Sequence, residues 1–418
     1  MNSEGVGRRP RLWLPPAGWM RWVLVTLIVV VGVVFVRNAM NDDNDFDGFW
    51  RAGRHVLDAG SLSDARDMSR YPPTFHLFMV PFSLLPLGLA AAAWYVLSVL
   101  ALLALPPALE RLSGVVPREQ LPVWLILSPL VVDNLILGQS GLLLLWICTW
   151  AVASIRDGRA VRGGAAIAAA TLVKVLPVAV LVVPFVLGRS RAALLGVACA
   201  VVLGASVMVA AVGVDQSRSS SIDWAERNSA EQSPWALVEA GRSLRYNNQG
   251  LGVVLARTWG ELGASEERAR GAVRFAVLPL GIVWTAYGLI LAMVAVVGAG
   301  AFRAACKLND DRSLMSFFAL TYLFMLFVSP VVWTHYFVQT IPAWIAISHR
   351  KELVRWGCAL FVLGLLVTPL RALGLQEFMS LGLFLVVASD LVRRASERPL
   401  LAGAATGQVS SFPSQQLS

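Results

Sequence analysis

Asp45 and Asp47 lie in the run Asn41-Asp42-Asp43-Asn44-Asp45-Phe46-Asp47-Gly48-Phe49-Trp50-Arg51, an acidic cluster edged by aromatic rings that directly follows the first hydrophobic span of the chain. A carboxylate in that position could take a proton from a hydroxyl at a membrane surface, where a lipid-borne substrate meets a water-borne one. The sequel from Phe49 to Gly53 reads as the start of an amphipathic interfacial helix that would hold the preceding carboxylate at headgroup level. The other charges of this loop, Asp42, Asp43, Asp58, Asp64 and Asp67 against Arg51, Arg54, Arg66 and Arg70, form a solvated mixture. The Asp-x-Asp spacing at 43/45 and 45/47 also fits a divalent metal site, although three-residue matches are common by chance.

Further polar residues stand out against apolar surroundings. Lys174, with Pro177 three residues on, sits in the middle of Gly163 to Gly188, where a charge on a lipid-facing helix would cost about 2.5–3.5 kcal/mol. A cation there suits a lipid phosphate, while the plain alternative is a snorkelling side chain. Tyr71-Pro72-Pro73 rigidifies the end of the first loop. Asn134 and Gln139 flank a tight turn between two hydrophobic runs. Asn248 and Gln249, after Arg242 and Arg245, are candidate contacts for sugar hydroxyls or a phosphate, and Arg245 could equally be a surface charge. His335 lies between Trp333 and Tyr336, where an interfacial belt residue is also expected.

The elements that position these residues follow from composition. With 57% hydrophobic and 15% charged residues over 418 positions, the chain is too apolar for a soluble two-domain protein. It reads as an all-α polytopic membrane protein. Trp22 to Val36, Phe75 to Leu105, Ala192 to Val212, Phe275 to Ala299 and Leu314 to Pro330 qualify as spans; Leu121 to Val132, Leu142 to Ala153, Trp356 to Pro369 and Phe378 to Ser389 are shorter. The net charge of +9 sits in loops between spans and reads as topology rather than nucleic-acid binding. Arg8, Arg9, Arg11 and Arg21 place the N-terminus in the cytoplasm, and Arg111, Arg156, Arg303, Arg350 and Arg393 mark later returns. No small-residue cleavage site follows Val36, so the first span is expected to be a retained anchor.

Only Gly163 to Gly188 resists this alternation, being flanked by Arg162 on one side and Arg189 and Arg191 on the other. It is therefore expected to be two half-helices, a re-entrant hairpin with Lys174 near its tip. The sum is about ten transmembrane helices plus one hairpin, with both termini inside. The organisation expected is a cytoplasmic segment 1–21, a membrane domain 22–392 with extracytoplasmic loops 38–73 and 213–271, and a cytoplasmic tail 393–418 that is disordered from Ala402. The first loop, the turn at Asn134 and Gln139, Lys174, the loop with Asn248 and Gln249 and the turn at His335 then fall on the extracytoplasmic side, as a single membrane-surface active site would require.

The four cysteines show neither a disulfide framework nor zinc spacing, and there is no phosphate loop, nucleophile elbow or histidine pair. No cofactor and no metal is expected. A transporter or lipid flippase would also be polytopic with broken helices, but its site should lie near the midplane, with polar residues shared between both faces.

The order Asp45-x-x-x-x-Trp50-x-Ala52-Gly53, Tyr71-Pro72-Pro73, Gly138-Gln139, Leu172-Val173-Lys174-Val175-Leu176-Pro177, Asn248-Gln249-Gly250 and Ser329-Pro330-x-x-Trp333-x-His335 resembles glycosyltransferase family 87. These are membrane enzymes of the GT-C fold, typified by polyprenol-phosphate-mannose-dependent mannosyltransferases. The chain departs from the family pattern at Gln139-Ser140-Gly141, where Gln-x-Asn is more usual, and at Tyr336, where a second polar residue often stands. The resemblance implies a polyprenyl-phosphate-sugar donor, a glycolipid or glycan acceptor on the extracytoplasmic face, and inversion at the anomeric carbon. Asp45 would be the general base, and Lys174 and His335 would stabilise the departing lipid phosphate.

Overall fold

The computed structural model describes residues 18–62, 71–231, 233–240, 244–262 and 273–407. Arg8, Arg9 and Arg11 of the N-terminal segment, Asp64, Arg66, Asp67 and Arg70 of the first loop, Arg242, and the tail beyond 407 lie outside these residues. The described chain is helical, and the β pairing among its residues is an isolated bridge between Gly260 and Leu278.

In chain order the helices are α1 Gly18–Met40, α2 Phe46–Ala59, α3 Pro73–Ser83, α4 Leu87–Ser113, α5 Pro117–Ile126, α6 Ser128–Ile136, α7 Gly141–Arg156 and α8 Ala160–Val173. A 3₁₀ segment Leu176–Val182 leads into α9 Val183–Val186, followed by α10 Ser190–Val212, α11 Val214–Glu231, α12 Pro234–Glu239, α13 Leu251–Trp259, α14 Leu280–Leu308 and α15 Asp311–Val328. A second 3₁₀ segment, Thr334–Thr340, precedes α16 Ile341–Ala346, α17 Lys351–Leu366, α18 Thr368–Ala372 and α19 Leu375–Gly407.

Six of these, α1, α4, α10, α14, α15 and α19, contain stretches long and apolar enough to cross a bilayer, and α5 with α6, bent by 70°, would make a seventh. The expected ten are not reached because several apolar helices, α7 and α8 among them, are shorter than a bilayer requires. The expected single run from Phe75 to Leu105 is two helices, because Leu84-Leu85-Pro86 turns the chain between α3 and α4. Pro86 holds an extended backbone and offers no N–H to continue the first helix. The expected loop 213–271 contains α11, α12 and the largely buried α13. Where an unstructured tail is expected from Ala402, α19 continues to Gly407.

Burial distinguishes the spans. The central α15 has 78% of its apolar window inside the protein, whereas α10 has 11% and α14 has 17%. The exposed Leu, Val and Ile side chains of α1, α10 and α14 suit lipid rather than water.

The segment from Ala160 to Gly188 is broken at Lys174, whose extended backbone (φ −153°, ψ 131°) separates α8 from the 3₁₀ turn. Its two ends meet: the Arg189 guanidinium donates to the carbonyls of Ile155 and Arg156, just ahead of α8. The chain thus leaves one end of the bundle, turns at Lys174 and comes back.

Charge pairs gather at that same end. Arg111 pairs with Asp157, Arg156 reaches Asp157 at 3.0 Å and Asp311 at 3.1 Å, and Arg394 reaches Asp310 at 3.1 Å. Arg350 and Arg393 meet the buried Asp390 at 3.1 and 3.2 Å. These contacts tie together the ends of α4, α7, α15, α17 and α19.

A polar site at the end opposite the basic cluster

The first carboxylate is placed by helix α2. Phe46, Phe49, Ala52, Gly53 and Val56 are buried at helical spacing, so one face of α2 lies on the bundle. Asp45 occupies the N-cap position yet makes no side-chain cap bond. Asn44 does that work instead. Its Oδ1 accepts from the Phe46 N–H at 3.0 Å, and its Nδ2 donates to the Phe35 carbonyl at 3.2 Å. The Asp45 carboxylate is thereby released from the helix end and accepts a hydrogen bond from Gln139 Nε2.

Gln139 is held by the turn between α6 and α7. Gly138 adopts φ +69°, and a Cβ there would stand 2.7 Å from the Phe35 ring and 2.9 Å from the Phe46 Cβ, so glycine is required on both counts. Its carbonyl accepts from Trp94 Nε1 at 2.8 Å, which fixes the turn against α4.

From Gln139 a relay leads to the broken helix. Tyr71 donates its hydroxyl to Gln139 Oε1 at 3.4 Å, and its ring stacks on Phe75 and meets Phe49 edge-on. The buried Lys174 ammonium lies 5.4 Å from the Tyr71 ring centroid and 3.9 Å from that of Tyr336. Two ring faces hold the cation without neutralising it, and Lys174 pairs with no carboxylate among the described residues. His335, next to Tyr336 with ring centroids 4.8 Å apart, feels the charge of Lys174, is buried, and among the described residues has no hydrogen-bond partner on either ring nitrogen.

Asp47 is placed elsewhere. Its carboxylate pairs with Arg51, which also reaches Asp42 at 2.6 Å. Burial pushes the Asp47 carboxyl above its ordinary range, aided by a hydrogen bond shared with Asp42, and the nearby guanidinium only partly offsets this. Arg51 holds the exposed Asp42 below its ordinary range. Asp45 and Asp47 therefore face different partners two residues apart. Among the described residues no three His, Cys, Asp or Glu side chains converge as ligands of one metal ion would.

Asn248 and Gln249 are fully buried, and each makes side-chain hydrogen bonds to backbone groups. Asn248 Oδ1 accepts from the N–H groups of Gly250 and Val332, each at 3.0 Å. Gln249 Nε2 donates to the carbonyls of Tyr246 and Arg371 at 2.6 and 2.8 Å. A Cβ on Gly250 would stand 2.6 Å from the Pro330 carbonyl oxygen, so the Asn-Gln-Gly and Ser-Pro motifs are two sides of one backbone contact. The Arg245 side chain is exposed, while its carbonyl accepts from the buried Arg257 at 2.9 Å.

Two charged residues at this end were not singled out from the sequence. Asp133 accepts from Thr334 Oγ1 at 2.9 Å and feels the charges of Arg371 and Asp45. Arg371 lies with its guanidinium 4.7 Å from the Tyr246 ring centroid.

An all-helical membrane protein with a carboxylate, an aromatic-caged lysine and a buried histidine at one end is the class these features define. The chain belongs to glycosyltransferase family 87, whose sequence profile matches residues 70–330, and it is a membrane glycosyltransferase. The match includes Tyr71, Gln139, Lys174, Asn248 and Gln249 and stops short of Asp45 and His335. No curated protein and no solved structure matches the chain.

Proposed function

We propose that the chain transfers a sugar, mannose by resemblance, from a polyprenyl-phosphate donor to the hydroxyl of an extracytoplasmic glycolipid or glycan at the cell membrane, with inversion. The observation that carries this reading is the link of Asp45, through Gln139 and Tyr71, to the caged Lys174. In the reaction the acceptor oxygen attacks the anomeric carbon, its proton passes to Asp45, and the bond from that carbon to the phosphate oxygen breaks. The electron pair leaves on the polyprenyl phosphate, whose growing charge Lys174 stabilises. Gln139 is the residue that aims the carboxylate.

Two further observations support the assignment. An apolar cavity of about 400 Å³ lies among α1, α4, α5 and α6, lined by Leu27, Ile28, Tyr95, Leu102, Trp124 and Leu135. It suits an isoprenoid chain, and α6 leads from it into the Gly138-Gln139 turn. The arginine clusters at the opposite end favour the cytoplasm for that end and the outer face for Asp45. A flippase should instead centre its polar groups at mid-membrane.

The test is transfer of radiolabelled mannose from synthetic polyprenyl-phosphate-mannose to a membrane lipid extract by purified protein, with and without excess chelator. Asp45→Ala should lose about 10²–10⁴-fold in rate, whereas Asp47→Ala should keep most of it. A wild type that binds the donor but transfers nothing from any polyprenyl-phosphate sugar would overturn the reading. Equal losses in the two variants would overturn the choice of base.

A further inference from the structure

The reaction above uses neither Asp133 nor Asn134, yet this pair near the end of α6 holds the 3₁₀ segment that carries His335 and Tyr336. Asp133 accepts from Thr334 Oγ1 at 2.9 Å, and Asn134 Nδ2 donates to the His335 carbonyl at 3.2 Å. Two successive residues of α6 are thus bonded to two successive residues of a distant segment. Asn134 is fully buried and also bonds in the other direction, its own carbonyl accepting from the Gln139 N–H at 3.0 Å. The Gln139 side chain in turn donates to Asp45. On the far side, Tyr336 directly follows His335, and its ring centroid lies 3.9 Å from the Lys174 ammonium. Room for the Asn134 amide is made by Gly141: a Cβ there would stand 2.6 Å from Asn134 Nδ2 and 3.3 Å from a Val338 methyl.

Resting on the glycosyltransferase reading, we propose that Asn134 is a positioning residue that sets the spacing between the two halves of the site. Its carbonyl holds the base side, Gln139 and Asp45, and its amide holds the leaving-group side, His335, Tyr336 and Lys174. Asn134 itself touches no reacting atom. A displacement with inversion needs the attacking oxygen, the anomeric carbon and the departing phosphate oxygen in one line, and a misplacement of about 1 Å in such an arrangement costs about 10²-fold in rate. The other link between the halves, through Tyr71, is looser at both joints, 3.4 Å to Gln139 and 5.4 Å from the Tyr71 ring centroid to Lys174. Loss of the Asn134 amide therefore leaves the base and the cation present but out of register with each other, which separates its effect from that of removing Asp45 or Lys174.

The experiment compares wild type with Asn134→Leu, Gly141→Ala and the double variant in nanodiscs, using synthetic polyprenyl-phosphate-mannose as donor and a membrane lipid extract as acceptor. Asn134→Leu nearly keeps the side-chain shape and removes the donor. Gly141→Ala leaves Asn134 in the chain and displaces its amide, so it decides the matter alone if Asn134→Leu folds poorly. Both variants should lower kcat and kcat/KM by the same factor, up to about 10²-fold, with donor KM and unfolding temperature close to wild type, as for an interaction that matters only in the transition state. The double variant should lose no more than Asn134→Leu, because both changes act on one bond. With four histidines in the chain, ring-labelled histidine gives an NMR signal for His335, assigned by its loss in His335→Gln, that reads position without turnover. That signal should shift in both single variants. A raised donor KM at unchanged kcat, additive losses in the double variant, activity that falls only in step with the unfolding temperature, or an unmoved His335 signal would each overturn the proposal. Wild type that transfers nothing, with a His335 signal that moves in both variants, would instead sink the glycosyltransferase reading and leave the positioning of His335 by Asn134 standing.

Discussion

Lys174 shows how a cation can be kept ready in an apolar setting. An ion pair would hold it more firmly but would also consume its charge, whereas ring faces stabilise it by about 0.5–2 kcal/mol each and leave the charge available. Replacing Lys174 by Met should leave the fold intact, since the extended residue at the break needs no ammonium, and should weaken the donor interaction about 10- to 150-fold, as expected for a lost hydrogen bond to a charged group. Tyr336→Leu should have a smaller effect of the same sign. Donor KM and kcat in a reconstituted assay check both, and a Lys174→Met enzyme with unchanged kcat/KM would remove Lys174 from the site. The same residue shows what a sequence makes legible. A charge followed by a proline inside an apolar run has few explanations, so the break at Lys174 could be anticipated. Asp133 could not be placed in this way, because what positions it is a hydrogen bond from the distant Thr334, and alone it resembles an ordinary helix-end charge.

At the scale of elements, the caps decide where helices begin and which side chains the helix ends use. Asn44 relieves Asp45 at the start of α2. At the start of α15 the work is done by Asp310, whose carboxylate accepts from the Ser313 N–H at 2.7 Å while the Asp310 N–H donates to Ser313 Oγ at 3.1 Å, a reciprocal capping box. Burial pushes the Asp310 carboxyl up, but the Ser313 N–H and the Arg394 guanidinium outweigh it and hold the group below its ordinary 3.8. A depressed folded value stabilises the protein fully above the unfolded value and loses that contribution as pH falls through the folded one. Asp310→Ala should therefore cost about 1 kcal/mol at neutral pH, and the gap between variant and wild type should close below about pH 4, in thermal unfolding followed in detergent. A gap that widens on acidification would contradict the assignment. The helix boundaries also mark the limit of reading by hydropathy. Phe75 to Leu105 is apolar throughout, so periodicity gave no hint of the turn at Leu84-Leu85-Pro86, which only the proline marks. The segment after Gly213 looked like a loop because its charges hide the short buried helix α13.

For the whole molecule, the distribution of charge predicts an orientation that can be measured. In a cysteine-free background, a single cysteine at Asp58, near the end of α2, should react with a membrane-impermeant maleimide added to intact cells. One at Asp157, after α7, should react only once the membrane is opened. The reverse pattern would invert the topology and put the site on the cytoplasmic face. The membrane class and the polar end were readable from composition and the spacing of arginines, while the number of spans was not, because short apolar helices packed inside a protein look in sequence like spans drawn too tightly. Burial of α15 bears on how such a protein is made. It is the least apolar of the six long spans and the one most enclosed by protein, so lipid alone offers it the poorest home. During synthesis α1 to α14 emerge before it and supply much of the surface it will occupy, while α19, half enclosed itself, arrives last to close over it. Until then α15 depends on the insertion machinery or on its earlier neighbours for shelter, and completion of the bundle around it waits on α19.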